Sequence, residues 1–211
     1  VIDIKLLYKN RFDRDKSGEW RVLCRFLQRY IPKDSVVLDI GAGSCEFINN
    51  IKAKKKYAVD INITNPCKNV KTFGSTAPIP NKSIDVVFMS NFLEHLKSKE
   101  EVVDMLKESK RVLKKNGSII ILGPNIRYAY KEYWDFIDHN IPLSDKSVAE
   151  SLTALGLTIK QIIPKFLPYT TKSNLPKADW IVRLYLVMPF LWKIFGKQFL
   201  IIAKINPKGL Q

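Results

Sequence analysis

The stretch VVLDIGAGSCEFI, residues 36–48, constrains the fold more than any other part of the chain. A short β-branched apolar run reaches Asp39, Gly41 and Gly43 follow, and an apolar pattern resumes at Phe47 and Ile48. Glycine permits the tight turn by which a strand gives way to a helix, and it lets a ligand approach the main chain without meeting a Cβ. In an open parallel sheet, ligands bind beyond the carboxyl ends of the strands, where this pair stands. A glycine pair also serves purely steric ends in many such turns, so its meaning depends on what accompanies it.

Around this turn the chain alternates between two periodicities. Apolar residues at Trp20, Leu23, Cys24, Leu27 and Ile31 have helical spacing, and Pro32 stops the helix. Strand-like runs follow at 35–40, 56–60, 84–90, 118–122, 157–163 and 199–203. The first four are continuously apolar and β-branched, as expected of strands buried on both faces of a parallel sheet. Helical segments lie near 45–53 and 100–114; the second opens with acids and closes on bases, which suits the helix dipole. The alternation predicts a doubly wound α/β fold, a single domain over residues 1–211. Two stretches stand outside it: an aromatic-rich insertion at 124–145 and an apolar excursion at 164–196.

Asp60 closes the second strand, 21 residues after Asp39. An acid at that point can accept both hydroxyl protons of a ribose diol. That spacing suits a nicotinamide dinucleotide and S-adenosylmethionine equally. Residues 75–96, STAPIPNKSIDVVFMSNFLEHL, then combine a polar turn, a buried strand and an LEHL segment, and RVLKKNGSIIIL follows at 111–122.

With these four elements together, the sequence resembles the class I S-adenosylmethionine-dependent methyltransferases, in the branch of the ubiquinone- and biotin-pathway enzymes. The resemblance spans roughly residues 19–160. It implies a Rossmann-like seven-stranded sheet, mostly parallel, with the last strand antiparallel between the fifth and sixth. It also implies S-adenosylmethionine as cofactor. Gly41, Ala42 and Gly43 would lie against the methionine part, Asp39 would orient that loop and Asp60 would hold the ribose. Ile61 would pack on adenine, Ser75 and Thr76 would face its edge, and Asn91 would stand beside the sulfonium. Two positions depart from the pattern: Cys45 replaces a third glycine, and Ser75 replaces an aspartate that commonly meets the adenine amino group.

Methyl transfer to an alcohol requires that its proton be taken, a task suited to histidine near neutral pH. The chain has two histidines. His95 lies in LEHL and is expected to be structural. His139 lies in the insertion with Asp135 and Asp138 nearby, and is the candidate general base. Asn125, Arg127 and Tyr128 begin the same insertion and are candidate acceptor contacts. With two histidines and no ligand-like cysteine spacing, no metal site is expected, and the odd count of three cysteines suggests reduced thiols in the cytoplasm.

The net charge is +15. It implies attraction to something anionic, or else only a lysine-rich surface. The apolar segment 178–198, broken by Arg183, Pro189 and Lys193, is too interrupted to span a bilayer. Three roles stay open for it: cover over the sheet or pocket, a dimer surface, or peripheral contact with an anionic membrane at its inner face. The stretches PKFLPYTTKSNLPK, residues 164–177, and FGKQFLIIAK, residues 195–204, resemble methyltransferases of surface-glycan pathways, which implies a small-molecule, glycan or lipid-linked acceptor. A non-catalytic methyltransferase-like subunit is the alternative function. A nucleic-acid methyltransferase rests on charge alone, because the Asn/Asp-Pro-Pro-Tyr/Phe motif of base-amino enzymes is missing and nucleic acid is not an expected partner.

Overall fold

A computed structural model describes residues 17–63, 67–169 and 179–206. In chain order its elements are α1 (Ser17–Leu27), β1 (Val36–Ile40), α2 (Glu46–Asn50), β2 (Lys55–Val59), β3 (Lys71–Phe73), β4 (Ile84–Ser90) and α3 (Lys99–Val112). Then come β5 (Leu113–Pro124), α4 (Ile126–Ala129), α5 (Asp145–Ala154), β6 (Leu157–Leu167), α6 (Asp179–Val187), α7 (Pro189–Phe195) and β7 (Gln198–Ile205). The sheet has seven strands in the order β3-β2-β1-β4-β5-β7-β6. The pairs from β3 to β5 are parallel, and β7 runs antiparallel to both its neighbours. This is the doubly wound arrangement that the alternating periodicities predict, with the seven strands and antiparallel last strand that the resemblance implies.

Strand alternation divides the core between the two faces. Leu38, Ile40, Val87 and Met89 pack with α3 and α5, against Val102, Leu106, Val148 and Leu152. Val37, Val86, Phe88 and Leu200 pack on the other face, against Leu23, Leu27 and Phe47 from α1 and α2. The Phe88 ring stacks on Phe47 with centroids 3.6 Å apart. Helix α3 starts on Ser98, whose hydroxyl accepts from the Glu101 amide, and α5 starts on a reciprocal Ser144–Ser147 capping box.

The elements differ from the sequence reading at their margins, each time for a local reason. Helix α2 covers only 46–50, because Cys45 sits in the left-handed region at φ 58° and cannot be helical. Strand β3 was not foreseen: Lys71–Phe73 is short, polar and at the sheet edge. Strand β5 starts at Leu113 rather than 118, with a register irregularity between the pairs Ile84–Leu113 and Val86–Ser118. Strand β6 runs on through Pro164 to Leu167, taking the first residues of the expected excursion into the sheet. It is an edge strand, where proline is tolerated, and its register shifts between Ile163 and Leu167.

Residues 170–178 of that excursion lie outside the described residues, and 179–195 form two short helices. Phe166, fully buried, holds them down: its ring lies 5.3 Å from Phe26 of α1 and 5.2 Å from Trp192 of α7, and its carbonyl accepts from the Tyr185 hydroxyl of α6. Phe166→Ala should therefore cost about 3–5 kcal/mol of stability. Urea unfolding monitored by tryptophan emission measures it, and a loss below about 1 kcal/mol would mean that these helices are anchored elsewhere.

Candidate functional site

The carboxyl ends of β1, β2 and β4 converge on the glycine turn. The Gly41 amide donates to the Val59 carbonyl at 2.9 Å, folding the turn across the end of β2. Gly41 has φ +75°, and a Cβ there would lie 2.5 Å from the Phe92 ring, so both conformation and space demand glycine. Gly43 has φ +48°, but a Cβ there would meet nothing within 4 Å. Its outer face is open main chain that a ligand can approach.

Asp60 ties this turn to β2. Its Oδ2 accepts from the Gly43 amide at 2.8 Å and its Oδ1 from the Asn62 amide at 2.6 Å. Each carboxylate oxygen keeps acceptor capacity for a further hydroxyl. Beside it Ile61 is 82 % exposed, a bare aliphatic surface. Asp39 sits beneath the turn, 2 % exposed. Burial, and then the charge of Asp60, push its pKa well above the usual carboxylate range. Ala42 is buried, and its carbonyl accepts from the Cys45 amide.

The other expected cofactor contacts have mixed placements. Ser75 is exposed after β3. Thr76 is buried and engaged elsewhere: its hydroxyl donates to Glu108 at 3.3 Å and its carbonyl accepts from Arg111. Asn91 ends β4 with φ 48°, a conformation uncommon for a residue with a side chain and frequent at ligand sites. Its amide donates to the Leu122 carbonyl, and the next residue, Phe92, is the one lying over Gly41.

The insertion is closed by a buried polar knot. Asn125 donates to Asp145 at 2.8 Å and to the Pro164 carbonyl at 2.9 Å, while its own Oδ1 accepts from the Arg127 amide. Arg127 reaches the same Asp145 at 3.0 Å. Tyr128 carries the Lys165 ammonium over its ring at 5.1 Å. These contacts fix the insertion against β6 and leave the outer edge of Tyr128 partly exposed.

Within the insertion His139 comes together with His95. Their rings are 5.1 Å apart. His139 is buried, stacked on Phe136 at 5.0 Å and edge-on to Tyr133 at 4.9 Å, with the Tyr169 hydroxyl 3.5 Å from Nε2. The Asp138 carboxylate meets His95 Nδ1 at 3.2 Å, and the Glu94 carboxylate lies 4.0 Å from Nε2. Burial alone would lower the His95 pKa, but the hydrogen bond to Asp138 and the charges of Glu94 and Asp138 outweigh it and raise the pKa to about 9. Burial raises Glu94 as well, opposed by His95. Glu94, His95 and His139 each offer a ligand atom, all within 4.8 Å of one another, a grouping with no trace in linear spacing. Glu94 was legible only as a letter of LEHL; Phe92 and Tyr169 gave no sequence signal of their positions.

The cysteines correct one expectation. Cys45, at the end of the glycine turn, is disulfide-bonded to Cys67, with Cα atoms 5.4 Å apart. Only Cys24 is a free thiol, on the buried face of α1 and pushed up in pKa by burial first. Three reduced thiols were inferred from an odd count, which cannot reveal that two of them meet in space. The disulfide staples the turn to the chain that follows Asp60.

A cavity of about 750 Å³ lies at the opposite end of the sheet, among Ser35, Asp85, Lys114 and Lys204. Ser35, Asp85 and Lys114 sit at the amino ends of parallel strands and Lys204 near the carboxyl end of the antiparallel β7, away from the glycine turn and both histidines. Main-chain donors, open glycine and carboxylates all gather at the carboxyl end, which makes that end the candidate site.

The family described as a methyltransferase domain matches residues 12–162. No curated protein sequence matches the chain. Among solved structures, an Archaeoglobus fulgidus SAM-dependent methyltransferase is 22 % identical, with 96 % of this chain and 100 % of that one covered and a TM-score of 0.63. A methyltransferase in complex with the Haloferax volcanii Trm112 activator is 14 % identical, with 97 % and 94 % covered and a TM-score of 0.63. An Aquifex aeolicus SAM-dependent methyltransferase is 19 % identical, with 91 % and 94 % covered and a TM-score of 0.58. At these identities the likeness is one of fold.

The His95 geometry has a pH signature. A histidine whose folded pKa lies near 9, above its ordinary 6.5, adds stability that is complete below about pH 6.5 and is lost as pH rises toward 9. The melting temperature should therefore fall between those values, and His95→Gln should flatten the fall. A wild-type melting temperature that is level across that window would show that His95 is not held charged.

Proposed function

Because the chain belongs to the methyltransferase-domain family, we propose that it transfers the methyl group of S-adenosylmethionine to a hydroxyl of a small-molecule or glycan-like acceptor. The observation that carries this reading is the turn at the carboxyl end of β1, where open main chain at Gly43, the Asp60 carboxylate and the bared face of Ile61 adjoin. They match the three parts of a nucleoside bearing an amino acid: backbone for the amino-acid arm, carboxylate for the ribose diol, aliphatic surface for the base. Asp39, raised in pKa by its burial, would regain its charge opposite an ammonium group. Ser75 and Asn91 border this surface at the ends of β3 and β4.

When bound, the sulfonium supplies the methyl group and departs as a neutral thioether. The chain's part is to hold the acceptor oxygen in line, exclude water and accept the proton. His95, with its pKa near 9, is already protonated at neutral pH and is a poor base. His139, walled by Phe136, Tyr133 and Tyr169, is the imidazole we assign to the proton. Arg127 and Tyr128, at the mouth of the insertion, are the proposed acceptor contacts.

Calorimetry with S-adenosylhomocysteine tests the cofactor assignment. Asp60→Ala should weaken binding roughly 10- to 100-fold, the worth of hydrogen bonds to a charged group. Binding that is absent in the wild type, or equal in the variant, would overturn it. His139→Ala should lower kcat by about 10²–10⁴-fold with cofactor affinity retained. A raised KM with kcat intact would instead make His139 a packing residue of the insertion.

A further inference from the structure

The two helices of the C-terminal excursion leave a stripe of large apolar side chains uncovered. Trp180, Leu184 and Val187 recur at the spacing of one helical face on α6, and Phe190 and Ile194 continue it on α7. Trp180 is 67 % exposed, Val187 70 % and Ile194 63 %. The opposite face is the packed one: Leu186 is buried, and Tyr185 and Trp192 rest on Phe166 and Phe26. The helices are thus seated with an apolar face outward, the reverse of an ordinary surface helix.

Basic side chains accompany the stripe. Arg183 and Lys193 are exposed on the same two helices. Lys165 donates to the Lys193 carbonyl and also lies over Tyr128, so the stripe adjoins the insertion, where Tyr130, Lys131 and Trp134 are exposed as well. No described helix is long and apolar enough to cross a membrane. An exposed apolar face with tryptophan, rimmed by cations in a chain of net charge +15, has the make-up of a segment that lies in a bilayer interface.

We propose that the α6–α7 face docks on an anionic phospholipid surface, with Trp180, Leu184, Val187, Phe190 and Ile194 entering the headgroup–acyl boundary and Arg183 and Lys193 meeting lipid phosphates. A second copy of the chain is the less favoured occupant, because two such faces would bring their cations together. Gly196 and Lys197, which end the helices, lie beside Lys165 and Asn125 at the carboxyl end of the sheet. Docking therefore brings the insertion to the membrane. That this would present a membrane-borne acceptor rests on the methyl-transfer reading; the docking itself does not.

The test is co-sedimentation of the full chain with vesicles of phosphatidylcholine, alone or mixed with phosphatidylglycerol, without cofactor. The chain should partition onto the mixed vesicles, more weakly as salt rises, with a blue shift of tryptophan emission. Trp180→Ser with Ile194→Ser should weaken partitioning at least about tenfold, given the apolar area withdrawn. Arg183→Ala with Lys193→Ala should weaken it by roughly an order of magnitude on anionic vesicles alone. Both variants should keep the wild-type melting temperature and S-adenosylhomocysteine affinity. Failure of the wild type to bind anionic vesicles, or equal binding by the serine variant, overturns the proposal. So does a dimer in light scattering that the serine variant dissolves. Vesicle binding without S-adenosylhomocysteine binding would instead remove the methyl-transfer reading and leave the docking in place.

Discussion

The hydrogen bond from the Gly43 amide to Asp60 is the joint on which the site depends. It links the end of β1 to the end of β2 through a carboxylate rather than a further main-chain pair. Two strands in a parallel ladder stop exchanging hydrogen bonds where they end, and their next residues ordinarily diverge. Here the Gly41 amide on Val59 and the Gly43 amide on Asp60 carry the contact past the last rung. The turn can follow that path only because Gly41 and Gly43 adopt positive φ, and because Gly41 leaves room for Phe92. The Cys45–Cys67 disulfide closes the same junction from the other side.

This junction concentrates negative charge. Asp39 is buried within reach of Asp60, and the second charge adds to the desolvation that already disfavours the first. Such an arrangement costs stability in the free protein. It becomes favourable when a cation arrives, which is why a ligand bearing an ammonium suits it better than a neutral one. The histidine end of the site has the complementary arrangement. Asp138 and Glu94 hold His95 protonated, so a fixed positive ring stands 5.1 Å from His139. One imidazole is gripped by carboxylates, and the other is walled by aromatic rings.

Much of this was legible in the sequence because it depends on period and chain order. Continuous β-branched runs marked β1, β2, β4 and β5, and the antiparallel place of β7 between β5 and β6 followed from the resemblance. The places of Gly41, Gly43 and Asp60 in the turn were legible because a tight turn at a strand end needs particular residue types there. What escaped depends on through-space meetings. Thr76 is drawn to Glu108 and Arg111, Asn125 is taken up by Asp145 and Pro164, and Cys45 finds Cys67. Asp138, read as a partner that could orient His139, has its carboxylate on His95. Strand β3 was missed because three mostly exposed residues at a sheet edge carry no apolar pattern.

The antiparallel last strand has a consequence for how the outer parts of the molecule are connected. A strand inserted between β5 and β6 in reverse must begin at the carboxyl end of the sheet, where β5 finishes and the insertion starts. Gln198 accordingly pairs opposite Pro124, and the Asn125 amide donates to the Lys197 carbonyl. The helices that precede β7 must end at that same point. They do so at Gly196, where a Cβ would lie 2.4 Å from the Lys165 main chain, so β6, α7 and β7 meet with no space for a side chain. Lys197 also pairs with Glu132 of the insertion. The apolar helices and the insertion that contains His139 are therefore joined at one crowded corner.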